Sequence, residues 1–114
     1  MGGSGEAGLR ADDILWVILS LVPPGYVTTY SSLARALGLS PREVGFLLSR
    51  NTRPIVVPCH RVVRSDLSLG GYRFGGERVK RALLEVEGVE FDSRGRVKSR
   101  HVIDVGGYLL GSEG

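Results

Sequence analysis

At 114 residues and 42% hydrophobic content, the chain can bury one modest core and has no room for a second domain of ordinary size. Its formal charge of +3 rests almost wholly on arginine, since Lys80 and Lys98 are the only lysines; that bias suits phosphate contact, and a GC-rich genome or a hot habitat would give it too. The single cysteine excludes an internal disulfide, two histidines without zinc-ligand spacing exclude a recognisable metal site, and no run approaches the roughly eighteen apolar residues of a membrane span.

The glycine-rich start lacks the apolar core of a signal peptide, so residues 1–10 are expected as a disordered leader ahead of one domain over 11–114, in a cytoplasmic protein. After the acidic pair Asp12 and Asp13, the spacing of Ile14, Val17, Ile18 and Leu21 predicts a short amphipathic helix with those residues inward, ended by Pro23-Pro24-Gly25. Tyr26 to Tyr30 is rich in aromatic and β-branched residues and reads as extended. Thr29 can cap a following helix that carries Leu33, Ala34 and Leu37 and stops at Gly38. Ser40-Pro41-Arg42-Glu43 is a capping box with proline at the first helical position, opening a helix with Val44, Leu47 and Leu48 inward.

These two helices make a helix-turn-helix candidate whose second helix shows Arg42, Ser49 and Arg50 outward, as a DNA-facing helix would. An ordinary packed pair with solvated arginines has the same pattern. After a break at Asn51 to Arg53, Pro54-Ile55-Val56-Val57-Pro58 reads as a buried extended run pinned at both ends, delivering Cys59 and His60. Val62 and Val63 continue extended, and Asp66 to Gly71 form a turn. Gly75-Gly76 leads into a last helix with Val79, Leu83 and Val86 on its inner face and i,i+4 pairs Glu77–Arg81 and Arg81–Glu85. That helix stops at Gly88, and Val89 to Phe91 with Arg96 to Lys98 suggest a small hairpin. The tail after His101 carries no signal.

Pro58-Cys59-His60-Arg61 is the most informative segment. An imidazole and a guanidinium beside a thiol favour the thiolate, which is the nucleophile, and lowering the ordinary pKa by about two units would raise its fraction more than tenfold. A buried structural cysteine beside a core histidine is the equal alternative.

From about Ile14 to Val97 the chain resembles the catalytic domain of the O6-alkylguanine-DNA alkyltransferases. Pro58-Cys59-His60-Arg61-Val62-Val63 is similar to that family's active-site motif, and Thr29-Tyr30-Ser31-Ser32-Leu33-Ala34 and Arg42-Glu43-Val44-Gly45 resemble its helix-turn-helix and recognition helix. Gly71-Tyr72-Arg73-Phe74-Gly75-Gly76 and Leu83-Leu84-Glu85-Val86-Glu87-Gly88 resemble its substrate loop and final helix. The implied fold is α/β, mostly helical: a winged-helix-like DNA-binding domain with a helix-turn-helix and a small β element. The implied function is single-use repair, moving an alkyl group from O6 of guanine to Cys59, with no cofactor and no metal. The implied partner is double-stranded DNA containing O6-alkylguanine, bound by a monomer.

The resemblance also implies roles. Cys59 is the nucleophile; His60 takes its proton through a bridging water, and Glu87 orients the imidazole. Asn51 ties the recognition helix to the active-site segment. Arg42 fills the gap left by a flipped base, Tyr30 turns the target phosphate and helps protonate the leaving guanine, and Tyr72 lines the base pocket. Ser49, Arg50 and Arg61 or Arg64 complete the DNA contacts; Val62 and Phe74 are placed at the base, a backbone N–H near Phe74 being the candidate donor to O6. Members of the family put this helix in the minor groove. The chain departs from them in lacking their N-terminal domain, in a shorter segment between Tyr30 and Val44, and in the loop Tyr72-Arg73-Phe74-Gly75. The competing readings are an alkyltransferase-like damage sensor, in which tryptophan or alanine usually replaces the cysteine, a winged-helix transcription factor, and a cysteine hydrolase.

Overall fold

The computed structural model describes residues 10–106, so all but the last residue of the expected leader, and the chain beyond 106, lie outside the described residues. The first helix, α1 (Ala11–Leu19), starts where the Arg10 N–H donates to the Asp13 carboxylate. It is apolar nearly all round, and the face it buries is Leu15, Ile18 and Leu19, continued by Val22. The expected face was rotated by one residue: Val17 and Leu21 point to solvent.

Strand β1 (Thr28–Thr29) leads into α2 (Tyr30–Leu37), whose N-terminus is capped by the Thr29 hydroxyl accepting from Ser32 N–H, and which ends on Gly38 in the left-handed conformation (φ 71°). Helix α3 (Pro41–Leu48) opens on the expected capping box, with Ser40 N–H donating to Glu43 Oε1 (2.8 Å) and Glu43 N–H to Ser40 Oγ (3.1 Å). Both helices bury one side, Leu33 and Ala34 with Val44 and Leu48, in a core shared with α1 and Cys59. Strand β2 (Val62–Val63) pairs with β1 in parallel, Thr28 opposite Val62 and Thr29 opposite Val63, so the helix-turn-helix is the crossover between two parallel strands.

The run from Pro54 to Pro58 is not the buried strand its composition suggested. Val57 N–H bonds back to Arg53 O (2.9 Å), Ile55 takes a left-handed φ of 72°, and Ile55 and Val56 are exposed. Two prolines bracketing three residues leave too few N–H donors for a ladder, and a turn satisfies them locally. Cys59 to Arg61 then form a 3-10 turn rather than a strand.

Helix α4 (Gly76–Val86) is also rotated relative to expectation: Val79 and Val86 are exposed, and the buried residues are Lys80 and Leu84. Arg81 pairs with Glu85 (3.1 Å) and lies over the Phe91 ring. The expected hairpin is present as one antiparallel bridge, Phe91 to Val97, around Gly95 (φ 78°). A second core of Val27, Val63, Leu69, Leu84, Val89 and Val97 lies beneath it.

The segment after His101, which carried no signal, packs on the rest. Val102 bridges Val27, Thr28 Oγ1 donates to Ile103 O, Val105 enters the first core, and Gly106 N–H donates to Ser32 Oγ. Among the described residues no helix is long and apolar enough to cross a membrane.

Candidate active site

Cys59 sits on the first residue of the 3-10 turn, 8% exposed, at the edge of a pocket of about 170 Å³ lined by Tyr30, Leu48, Ser49, Tyr72, Arg73 and the backbone of Gly45 and Gly71. Gly45 faces Tyr30, and a Cβ there would make only an ordinary contact, 4.0 Å, with its ring. The thiol is held from the α3 side. Asn51, buried just past the helix end, donates from Nδ2 to Cys59 Sγ (3.2 Å) and to Val57 O (3.1 Å), while its Oδ1 accepts from Arg53 N–H (2.8 Å).

His60 is fully buried. Its Nε2 meets Glu87 Oε2 at 2.9 Å, and its Nδ1 is buried without a hydrogen-bond partner in the protein, the nitrogen left free to accept a proton. Burial lowers the His60 pKa despite the opposing pull of Glu87, so the ring is neutral at pH 7 and able to act as a base. Glu87 follows the last turn of α4, where the helix dipole disfavours an acid; burial disfavours its charge as well, yet hydrogen bonds from Arg61 and His60 outweigh that and hold its pKa below the ordinary value.

This is where the structure corrects two expected DNA contacts. Arg61 is buried and faces inward, donating from Nε and Nη2 to the two Glu87 oxygens (2.9 and 2.7 Å) and from Nη1 to Val22 O (2.8 Å). A guanidinium fork engaged on both sides is unavailable to phosphate. Val62 is wholly buried in the core, so its side chain cannot touch a base. Phe74 stands behind the pocket, packed edge-on to Tyr72 with ring centroids 5.6 Å apart, under the Arg73 guanidinium. By contrast Arg42, Ser49, Arg50 and Arg64 are exposed, and the first three share the outer side of α3.

The thiol also differs from expectation. Burial raises the Cys59 pKa above its ordinary value, and the Asn51 hydrogen bond and the charges of Lys80 and Arg73 only partly offset this. The neighbours in sequence, His60 and Arg61, turn toward Glu87 instead. The proton must therefore be removed during reaction rather than lost beforehand. Tyr30 and Tyr72 are raised as well, chiefly by burial, and both remain phenolic donors at neutral pH.

Lys80 is the residue that the sequence did not expose. It is 1% exposed, and its ammonium donates to Leu69 O and Gly71 O, fixing the segment that forms one pocket wall. Desolvation lowers its pKa to about 8, so it is charged at pH 7 and favours a thiolate at Cys59. The one available signal was compositional: a lysine on a helix in a chain that otherwise prefers arginine. A thiol and two phenols line a small pocket, a buried cation holds the carbonyl of Gly71 in its wall, and a neutral imidazole backed by a carboxylate follows the thiol in the chain, an arrangement suited to nucleophilic attack by sulfur on one bound group.

A family model described as 6-O-methylguanine DNA methyltransferase, DNA binding domain, matches residues 11–89. A Pyrobaculum aerophilum protein named methylated-DNA–protein-cysteine methyltransferase is 50% identical over 95 residues, 82% of this chain and 64% of that protein. One of the same name from Methanothermobacter thermautotrophicus is 45% identical over 93 residues, 82% of this chain and 50% of that one. The chain thus spans between half and two thirds of these relatives' length. The crystal structure of O6-methylguanine-DNA methyltransferase from Pyrococcus kodakaraensis strain KOD1 is similar with a TM-score of 0.64 and 46% identity, covering 75% of this chain and 50% of that one. S. pombe Atl1, in complex with damaged DNA containing O6-carboxymethylguanine, is similar with a TM-score of 0.69 and 26% identity, covering 83% of this chain and 98% of that one.

Proposed function

The chain belongs to the 6-O-methylguanine DNA methyltransferase family, and on that premise we propose that it repairs O6-alkylguanine in double-stranded DNA by accepting the alkyl group on Cys59. The observation that carries this reading is Cys59 on the lining of a pocket beside α3, its Sγ accepting from Asn51 Nδ2, with the buried His60–Glu87 pair starting at the next residue of the chain.

A base inside the duplex cannot reach the buried sulfur, so the guanine is turned out of the stack at a cost of a few kcal/mol. Arg42 fills the vacated space, and Ser49, Arg50 and Arg64 meet phosphates. Each phosphate neutralised adds about 0.9 to the salt slope of binding. In the pocket the ring lies against Tyr72. The thiol proton passes through a bridging water to His60 Nδ1, and Glu87 stabilises the imidazolium. Lys80 stabilises the thiolate as it forms. Sulfur attacks the alkyl carbon: the S–C bond forms, the C–O6 bond breaks, and the electron pair stays with the guanine, which takes a proton from the Tyr30 phenol. Solvent returns a proton to Tyr30 and removes one from His60, so thiol and O6-alkylguanine become thioether and guanine. Neither water nor another thiol readily displaces a thiolate from carbon, so each molecule acts once, as a monomer, in the cytoplasm where duplex DNA is at hand.

A second reading has one specific support: the similarity to Atl1 spans 98% of that chain. In it the pocket holds the turned-out lesion as a signal and nothing is transferred. Intact-mass measurement after incubation with a duplex carrying O6-methylguanine separates the two, with Cys59→Ser as control. Transfer predicts one methyl per wild-type chain and none on the variant; lesion binding with an unchanged mass would put the sensor in its place.

A further inference from the structure

Helix α3 carries one large apolar side chain that the fold does not use. Phe46 is 64% exposed, at the centre of the outer face of α3 and diametrically away from Val44 and Leu48, the residues that bury the helix. It shares a shallow groove with Arg42, Leu39 and Leu47, and one turn further on the Arg50 guanidinium lies 5.9 Å from its ring centroid. The outer face therefore reads Arg42, Phe46, Arg50 in one stripe. Gly45 and Ser49, their immediate neighbours on the same helix, line the Cys59 pocket. The two nearby carboxylates are occupied: Glu43 accepts from Ser40 N–H, and Asp12 is shared between Arg10 and Arg50.

An exposed ring between two cations fits one kind of surface well, a polyanion that also offers flat apolar faces. Duplex nucleic acid provides both, phosphates for the arginines and base faces for the ring, and apolar wedges pushed between base steps are a recurrent means of unstacking them. We propose that Phe46 is a second wedge: as Arg42 occupies the space of the turned-out guanine, the Phe46 ring presses into the adjoining base step and holds it open. This rests on the reading of α3 as the DNA-facing helix. It adds to that reading an apolar contact which lowers the cost of opening the stack, and so a selectivity for lesions in duplex over single-stranded DNA.

The test uses the full chain and oligonucleotides carrying O6-methylguanine with 2-aminopurine one step to either side, as duplex and as single strand. On binding the duplex, the wild type should raise 2-aminopurine fluorescence on one side of the lesion. Phe46→Ala should lose that rise and methylate Cys59 about tenfold more slowly from the duplex, in line with the loss of one base-stacking contact. Its rate from the single strand should match the wild type, and Phe46→Trp should restore the duplex rate. An unchanged duplex rate and fluorescence would overturn the proposal, and so would an equal loss on both substrates, which would mark a general binding or folding role. If the wild type leaves Cys59 unmethylated, the transfer reading fails while the fluorescence comparison still judges the wedge.

Discussion

Cys59 is held by opposing influences of unequal size. Burial pushes its thiol above the ordinary value of 9.0, and the Asn51 N–H, the Lys80 ammonium and Arg73 pull it back only in part. The sign is therefore upward, and the thiolate fraction at neutral pH is smaller than for a free cysteine. Labelling of Cys59 by iodoacetamide is expected to keep rising through pH 9 rather than levelling off near 7. Lys80, at about 8, loses its charge within the same range, so the thiol becomes harder to ionise as the pH climbs and the labelling curve should be broader than that of one group. Lys80→Met removes the cation at every pH: labelling at pH 7.5 should slow several-fold and follow a simple curve displaced to higher pH. Equal curves for the two proteins would show that Lys80 only pins the pocket wall.

Between Arg53 and Cys59 the backbone makes a turn that costs something to hold. Ile55 is β-branched with a φ of 72°, a region that costs an L-residue roughly 1–2 kcal/mol, and its side chain, 56% exposed, recovers little by burial. Ile55→Asn should stabilise the protein by on the order of 1 kcal/mol and raise Tm by a few degrees, because asparagine tolerates this conformation. A calorimetric scan showing a lower Tm would mean that Ile55 packs more than its exposure suggests. The same segment shows what kind of element can be read in advance. Caps were legible residue by residue, at Thr29, Gly38, Ser40 and Glu43, because each acts on backbone groups within a turn of itself. Faces were not. In Ile14-Leu15-Trp16-Val17-Ile18-Leu19 two helical stripes satisfy the same spacing, and only the packing partners choose between them. In α4 the choice went to a stripe containing a lysine, since its ammonium is received by the backbone carbonyls of Leu69 and Gly71, which no side-chain pattern announces. Arg61 was misplaced for a related reason, its partner Glu87 lying 26 residues away.

At the scale of the molecule, residues 102–106 are gathered onto the helix-turn-helix part. The backbone at residues 102–106 pairs with Val27, Thr28 and Ser32, so α2 is held at its N-terminus by a segment more than seventy residues distant. A Cβ on Gly106 would come 2.4 Å from Ser32 O, which leaves room for glycine only. Asn51 makes the complementary link, fastening the end of α3 to Cys59 Sγ. On the transfer reading, alkylation changes the space that this link needs. An added methyl beside a sulfur only 8% exposed crowds its surroundings, an effect typically of about 1–3 kcal/mol. The methylated protein should therefore melt several degrees below the unreacted one in the same scan, and an unchanged melting point would show that the pocket absorbs the methyl. If Cys59 takes up the alkyl group, a used molecule is then a weaker one: chemical history becomes a mechanical flaw at the root of the helix, and proteases, which sort proteins by how readily they open, would need no other label to find it.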